Sequence, residues 1–410
     1  MAIKKEKYLV GLDIGTHKVC TVIGEVNQMG EVEVIGVGIT ESQGLRRGVV
    51  VNLEAAVNTI RASVEEAELM AGFEIEAAFV GVAGAHIKGI NSKGVIPVPA
   101  KDRVITRNDV NRVLEAASAI SLPGDRKILH TIPQEYIVDG QEGILDPVGM
   151  CGTRLEANVH IVTALTTSIQ NVANCVNRAG LAVEGTILEQ IAASEAVLSP
   201  DEKELGVAII DIGGGTTDLA IFRGGSICHS AVLPSAGDHF TRDIAVGIRT
   251  NIKEAERIKK EYGCAHPSLV KEDETFEVPG IGGRKPRVIS RKSLVEIIQP
   301  RAEEIMNLVS LEIKRVGYHR SLNSGVVLTG GGALLPGILE VAEEVFQLPV
   351  RLGMPQGVSG LIDVVKSPIY STAVGLILYG RKRREGGEVS PAPRLWDRVL
   401  SRLKGLFSEI

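Results

Sequence analysis

The chain has 410 residues, 44% of them apolar and 23% charged, with a formal net charge of −5. That length exceeds one ordinary domain, and the composition excludes disordered and fibrous classes. Eight Lys/Arg stand against four Asp/Glu within residues 381–410, so the acidic excess lies in the body, and nucleic acid is not expected as a partner because phosphate binding needs a basic face.

Cys20, Cys151, Cys175, Cys228 and Cys264 are scattered without C-x-x-C spacing, which indicates neither a metal knuckle nor a redox pair and suggests a reducing compartment. The apolar run after Lys7 is interrupted by Asp13 before it reaches signal-core length, so no secretion signal is expected.

Residues 8–26, YLVGLDIGTHKVCTVIGEV, read as a hairpin whose bend holds Asp13, Gly15 and Thr16, with Lys18 just beyond. Consecutive backbone N–H groups in such a bend can cradle an anion, and glycine tolerates a phosphate close to the main chain. Taken alone, the motif more often marks an ordinary hairpin turn, and it is the repeat of the motif further on that favours binding. Apolar spacing predicts a helix over 53–71. Residues 84–158 read as a separate inserted module with short β runs, the loop-prone IPVPAKDR and a helix around 108–119. Residues 157–177 lack charge but contain Asn158, His160, Gln170 and Asn174, too polar for a membrane span. Glu189, in LEQIAAS, opens a helix, where a carboxylate stabilises the N-terminal dipole.

Residues 206–225, GVAIIDIGGGTTDLAIFRGG, repeat the first hairpin, with Asp211, Gly213, Gly214, Gly215, Thr216, Thr217 and Asp218 in the bend. Two such turns could grip one polyphosphate from opposite sides. Asp13 and Asp211 would then repel unless a hard cation such as Mg²⁺, held largely through its waters, lay between them. LPSAGDHFTRDIA, containing Gly237, leads into a helix over 244–262 on which Glu256, Lys259 and Lys260 share a face. That trio suits ribose hydroxyls and phosphates, or is a solvated ion-paired face. Residues 265–290 read as loop, followed by a helix over 291–315. Gly330, Gly331 and Gly332, in VVLTGGGALLPGI, sit between a strand and a helix over 338–346, where a base or sugar could pack, or where a crossover simply needs small residues.

The apolar stretch 367–380 would reach only about 21 Å as a helix against a hydrocarbon core of about 30 Å. After a linker over 381–394, residues 395–410 are amphipathic. Leu395, Trp396, Val399, Leu400, Leu403, Leu406, Phe407 and Ile410 fall on one side of a helical wheel and all polar residues on the other. The aromatic and basic content is that of an anchor to an anionic membrane surface, with docking onto the body as the alternative.

The order D-x-G-T, ILEQIAASEAV, DIGGGTTD, AERIKKEYG, LTGGGA over about residues 8–380 resembles the actin, DnaK-type chaperone and sugar-kinase superfamily. Within it GLDIGTHKVCTVIGEV, LRRGVVVNLEAAVNTIRASVEEAE, GDHFTRDIA and the 84–158 insertion resemble the FtsA family of bacterial cell-division proteins. The resemblance implies a two-lobed α/β, actin-like (ribonuclease H-like) fold with an insertion in each lobe and a C-terminal amphipathic helix. The first lobe would be 1–83 and 159–195, the second 196–228 and 305–380, and the second insertion 229–304.

It further implies ATP with Mg²⁺ between the three glycine turns, Glu189 as the water-positioning residue, and at most slow ATPase activity. Head-to-tail filaments, other division proteins and the C-terminal peptide of the tubulin-like FtsZ would be the partners, with Arg291, Lys292 and Arg301 as contacts to acidic peptide groups. The location implied is the cytoplasmic face of the membrane at the division site. Two other readings share the fold. A PilM-type pilus-assembly adaptor ordinarily ends without such a tail, and a sugar-kinase-like enzyme needs a general-base Asp that the sequence does not nominate.

Overall fold

The two hairpins found in the sequence nucleate two sheets of the same strand order. The structure is a computed structural model in which residues 7–99, 103–280 and 285–385 are described. Tyr8–Ile14 pairs antiparallel with Lys18–Val26, and that strand antiparallel with Val32–Glu41. On its other flank Tyr8–Ile14 runs parallel to Ala77–Val82, which runs parallel to Ala182–Leu188. The second sheet repeats the plan, with Val207–Ile212 between Thr217–Arg223 and Val326–Thr329, and Ser226–Leu233 and Val350–Leu352 outside them. Parallel neighbours need crossovers, and the helices that supply them cover the sheets, so both central strands are near-continuous apolar runs. The architecture is the expected two-lobed α/β one.

Helix bounds follow local chemistry. Leu53–Ala71 starts at Asn52, whose side chain accepts from the Ala55 N–H, and stops at Gly72, whose φ is 82°. It lies so close on its sheet that a Cβ on Gly38 would collide with the Ser63 carbonyl. Arg291–Arg315 and Ile338–Phe346 also have their expected bounds. The helix expected over 244–262 is instead two, Gly237–Gly247 and Ile252–Tyr262. Arg249 takes a φ of 54° between them, and Asn251 restarts the helix by accepting from the Glu254 N–H at 2.9 Å. Part of the stretch expected as loop over 265–290 forms a hairpin, Thr275–Val278 with Arg287–Ser290.

The inserted module is a four-stranded antiparallel sheet, Lys88–Pro97, Arg154–Leu165, Arg126–Val138 and Gln141–Ile144, with the helix Arg107–Ser118 on one face. Its strands are longer than the short runs expected, up to 13 residues. Its own core gathers Ile96, Val110, Val113, Leu155 and Ile161. The module also docks on the outer strand of the second sheet: Gln134 Nε2 donates to the Ile227 carbonyl (3.0 Å), Asn91 Nδ2 to Cys228 (3.1 Å), and His160 Nε2 contacts Ser230 Oγ (2.8 Å).

Several expected domain limits fall inside elements. Those at 158, 195, 228 and 304 cut Arg154–Leu165, Glu189–Val197, Ser226–Leu233 and Arg291–Arg315. The end of the expected second lobe belongs structurally to the first. Val358–Gly360 pairs with Val32–Glu41, and the helix Ser371–Arg384 packs on the Tyr8–Ile14 strand and on Glu189–Val197. Contact there is backbone-close, since a Cβ on Gly375 would collide with the Ala192 carbonyl. Ser371 to Gly380 is buried all round, which accounts for its largely apolar composition. The helix continues to Arg384, into the expected linker. Among the described residues no helix is long and apolar enough to cross a membrane. The amphipathic segment 395–410 lies outside the described residues.

Candidate functional site

The repeat gives the two turns matching geometry. In the first, Gly15 N–H donates to the Lys18 carbonyl at 2.9 Å; in the second, Gly213 N–H donates to Thr216 at 2.9 Å. Asp13 and Asp211 therefore close equivalent central strands, and the turns face one another. A Cβ on Gly215 would sit 2.8 Å from Thr16 Oγ1. Thr217 is held by donating to the Ser235 carbonyl at 2.6 Å.

Around the turns lies an acidic cluster. Asp13 and Asp218 are buried, Asp211 and Glu189 keep partial access to solvent, and Asp13, Asp218 and Asp211 all bear electrostatically on Glu189, so the four gather at the cleft where the two turns meet. Burial, then the Asp13 carboxylate, pushes Asp211 up to about 6. Burial and then Asp211 push Asp218 up to about 7. Glu189 is raised well above the usual carboxylate range by burial and by Asp13, Asp218 and Asp211. Lys18 is paired with Asp13, and although burial opposes its ammonium, Asp13 together with Cys20 and Asp211 outweighs burial and raises the group. Among the described residues Lys18 is the one cation paired within this cluster, and the raised values of Glu189, Asp211 and Asp218 show acidic charge that it does not fully compensate. A hard cation fits such an acidic wall, bound directly or through water.

The remaining predicted residues are drawn to the same place. Gly237 opens the Gly237–Gly247 helix, and its N–H donates to the Gly213 carbonyl at 3.0 Å. Lys259 Nζ donates to the Gly237 carbonyl (3.2 Å) and to Thr241 Oγ1 (2.9 Å), and pairs with Glu256 at 2.7 Å. Lys260 is exposed and reaches only the other Glu256 oxygen, at 3.5 Å. Gly330, with φ 82°, lies against Asp211, where a Cβ would collide with the carboxylate, and a Cβ on Gly332 would collide with Ile212. These two are glycine for packing. Gly331 is exposed and differs from them: a Cβ there would meet only Ile369, at 3.7 Å. No protein neighbour requires glycine at 331, which fits a position where a ligand approaches the backbone.

Several residues of the cleft are absent from the sequence-based set. Gln190, 1% exposed, donates from Nε2 to Asp218 Oδ1 at 2.9 Å and leaves its Oε1 buried without a partner among the described residues. A buried orphan acceptor at the acidic wall fits a bound ligand or water. Thr372, on the last helix, reaches Asp211 Oδ2 at 3.4 Å. Asp218 was legible, since seven residues of hairpin place it directly opposite Asp211. Gln190 was not, because the residue beside Glu189 acquires its role only from where the helix starts.

Arg291, Lys292 and Arg301 lie apart from the cleft on one helix, and each is already engaged. Arg291 pairs with Glu274 at 2.6 Å, Lys292 with Glu272 at 2.7 Å, and Arg301 with Asp243 at 2.6 and 3.1 Å and with Glu304. A separate opening of about 340 Å³, lined by Tyr136, Ile191, Phe222, Tyr379 and Arg383 among others, contains none of the acidic cluster.

Comparison with known proteins gives a consistent picture. A family model for the cell division protein FtsA matches residues 208–375, and one for the SHS2 domain inserted in FtsA matches residues 84–163. The chain is 49% identical to the cell division protein FtsA of Pseudomonas aeruginosa over 94% of this chain and 92% of that one. It is 41% identical to that of Escherichia coli over 98% and 97%. Among solved structures, a PilM–PilN type IV pilus biogenesis complex aligns with a TM-score of 0.66 at 18% identity, covering 91% of this chain and 98% of that one. MreB5 of Spiroplasma citri bound to ADP aligns at 0.54 and 19%, covering 93% and 100%. These low-identity likenesses establish the actin-like fold.

Proposed function

The chain belongs to the FtsA family of cell division proteins, and from that premise we propose that it is an ATP-binding, self-associating adaptor that tethers FtsZ filaments to the cytoplasmic face of the membrane at the division site. The observation that carries nucleotide binding is the acidic wall between two equivalent glycine turns, with Gly331 open above it. Backbone N–H groups of the turns at 16–17 and 214–216 would hold phosphate oxygens, Lys18 would offset their charge, and Asp13 and Asp211 would hold Mg²⁺ through water. When bound, Mg²⁺ supplies charge compensation for phosphates and carboxylates alike. The base and ribose would lie against Gly330, Gly331, Gly332 and the Glu256–Lys259–Lys260 face. Bound ADP in the MreB5 neighbour agrees with a nucleotide role for this fold. Glu189, with its proton held by the surrounding carboxylates, would orient a water, at best slowly.

Sequence carries the tether: an amphipathic stretch after a linker, with Trp396 and Phe407 beside Arg398, Arg402 and Lys404. PilM-type adaptors share the fold, but relatives at 41–49% identity favour the division role. An FtsZ peptide would dock on the second-lobe insertion, where its acidic groups must displace Glu272 from Lys292 or Asp243 from Arg301. The nucleotide reading is tested by thermal unfolding with and without ATP and Mg²⁺, since a ligand bound only to the folded state stabilises it by mass action. Asp211→Ala and Gly331→Trp should abolish the shift; a shift that survives both would sink the three-turn clamp.

A further inference from the structure

The lobes meet at the phosphate turns through side chains laid on glycine. A Cβ on Gly214 would collide with the imidazole of His17, so this first-lobe ring rests on the backbone of the second-lobe turn. His17 reaches further, pairing through Nε2 with Oδ1 of Asp238 in the first turn of the Gly237–Gly247 helix. Asp238 is itself fixed to the turn, because its N–H donates to the Gly214 carbonyl at 2.8 Å. Arg47, with φ 50°, closes the same contact from the Leu45–Val50 hairpin, its Cα 2.8 Å from where a Gly215 Cβ would be. One ion pair therefore joins the first phosphate turn to the helix that packs on the second.

We propose that His17 and Asp238 form a clasp across the mouth of the cleft that keeps the two lobes closed and limits how fast a nucleoside diphosphate or triphosphate leaves. The clasp rests on the nucleotide reading above. Its placement suits a reversible device: the side chains are 45% and 24% exposed, and a partly solvated pair is weak enough to open on thermal motion. Groups on every neighbouring element bear on its charge state. The Asp238 hydrogen bond raises His17 first, burial opposes it, Glu256 adds to the rise and Lys259 opposes it. Arg242 and Lys259 help keep Asp238 ionised. Because the folded-state value of His17 lies above its ordinary one, the clasp is fully present below about pH 6.5 and is lost as pH rises through the raised value.

The test is the release rate of a fluorescent N-methylanthraniloyl-ADP with Mg²⁺, chased with excess unlabelled ATP, for the full chain and for H17A, D238N, the double variant and H17K. H17A and D238N should each release several-fold to tenfold faster, the double variant no faster than either. Wild-type release should quicken as pH rises above about 6.5, D238N should show no such rise, and H17K should stay slow throughout because lysine keeps its charge. Binding by each variant shows that it is folded. Rates within twofold of wild type in both singles, or additive acceleration in the double, would overturn the clasp while leaving the nucleotide reading intact. Failure of the wild type to bind would overturn both.

Discussion

Replacing Asp218 by Asn should stabilise the nucleotide-free protein, against the usual direction of a substitution in a core. Asp218 is 4% exposed and faces Asp211 directly across the hairpin, like charge on like charge. Burial and that neighbour raise it from 3.8 to about 7. A raised carboxylate makes the native state hold a proton that the unfolded state has released. Stability is therefore lost as pH rises from about 4 to about 7, and the full penalty stands above that. Three pKa units correspond to about 4 kcal/mol as an upper bound, and relaxation around the charge reduces this to roughly 2 kcal/mol. Asn keeps an oxygen that can accept from Gln190 Nε2 without the charge. Urea unfolding without nucleotide or divalent cation should show the variant more stable by roughly 2 kcal/mol at pH 8, with the gain shrinking as pH is lowered to 5. The same variant should lose most of the thermal shift given by ATP and Mg²⁺. An Asn variant less stable than wild type at pH 8, or a gain independent of pH, would refute the claim that this carboxylate is held against its own electrostatics for a ligand.

Gly375→Ala forces a methyl into the Ala192 carbonyl and should cost about 1–3 kcal/mol or more, read by urea denaturation. Asn251→Ala removes the side-chain oxygen that restarts the Ile252–Tyr262 helix and should cost about 1 kcal/mol in the same assay. Gly89→Ala would put a Cβ 2.6 Å from Ser230 Oγ and 2.7 Å from the His160 ring; faster hydrogen exchange at 226–233 with an unchanged module core is expected. Truncation after Glu385, or Trp396→Glu, should abolish co-sedimentation with anionic vesicles while the thermal shift with ATP persists. Filaments presenting many tails should bind vesicles far more firmly than monomers.

What the sequence determined by itself is local. The twin hairpins, the helices at Leu53–Ala71, Arg291–Arg315 and Ile338–Phe346, and the carboxylates at 13 and 211 were legible because periodicity, caps and turn glycines act within a few residues. The break at 248–251 is local too, but Arg249 gives no glycine or proline signal, and Asn251 reads as a cap only once the chain turns there. Only tertiary structure decided the rest. That the apolar 371–384 helix belongs to the first lobe follows from the fit of Gly375 to Ala192, a backbone contact between segments far apart in the chain. Gln190, Thr372 and Asp238 enter the cleft for the same reason. The acidic wall is a property of the assembled lobes: Asp13, Glu189, Asp211 and Asp218 are ordinary carboxylates along the chain, and only burial side by side raises Glu189, Asp211 and Asp218 out of the usual range.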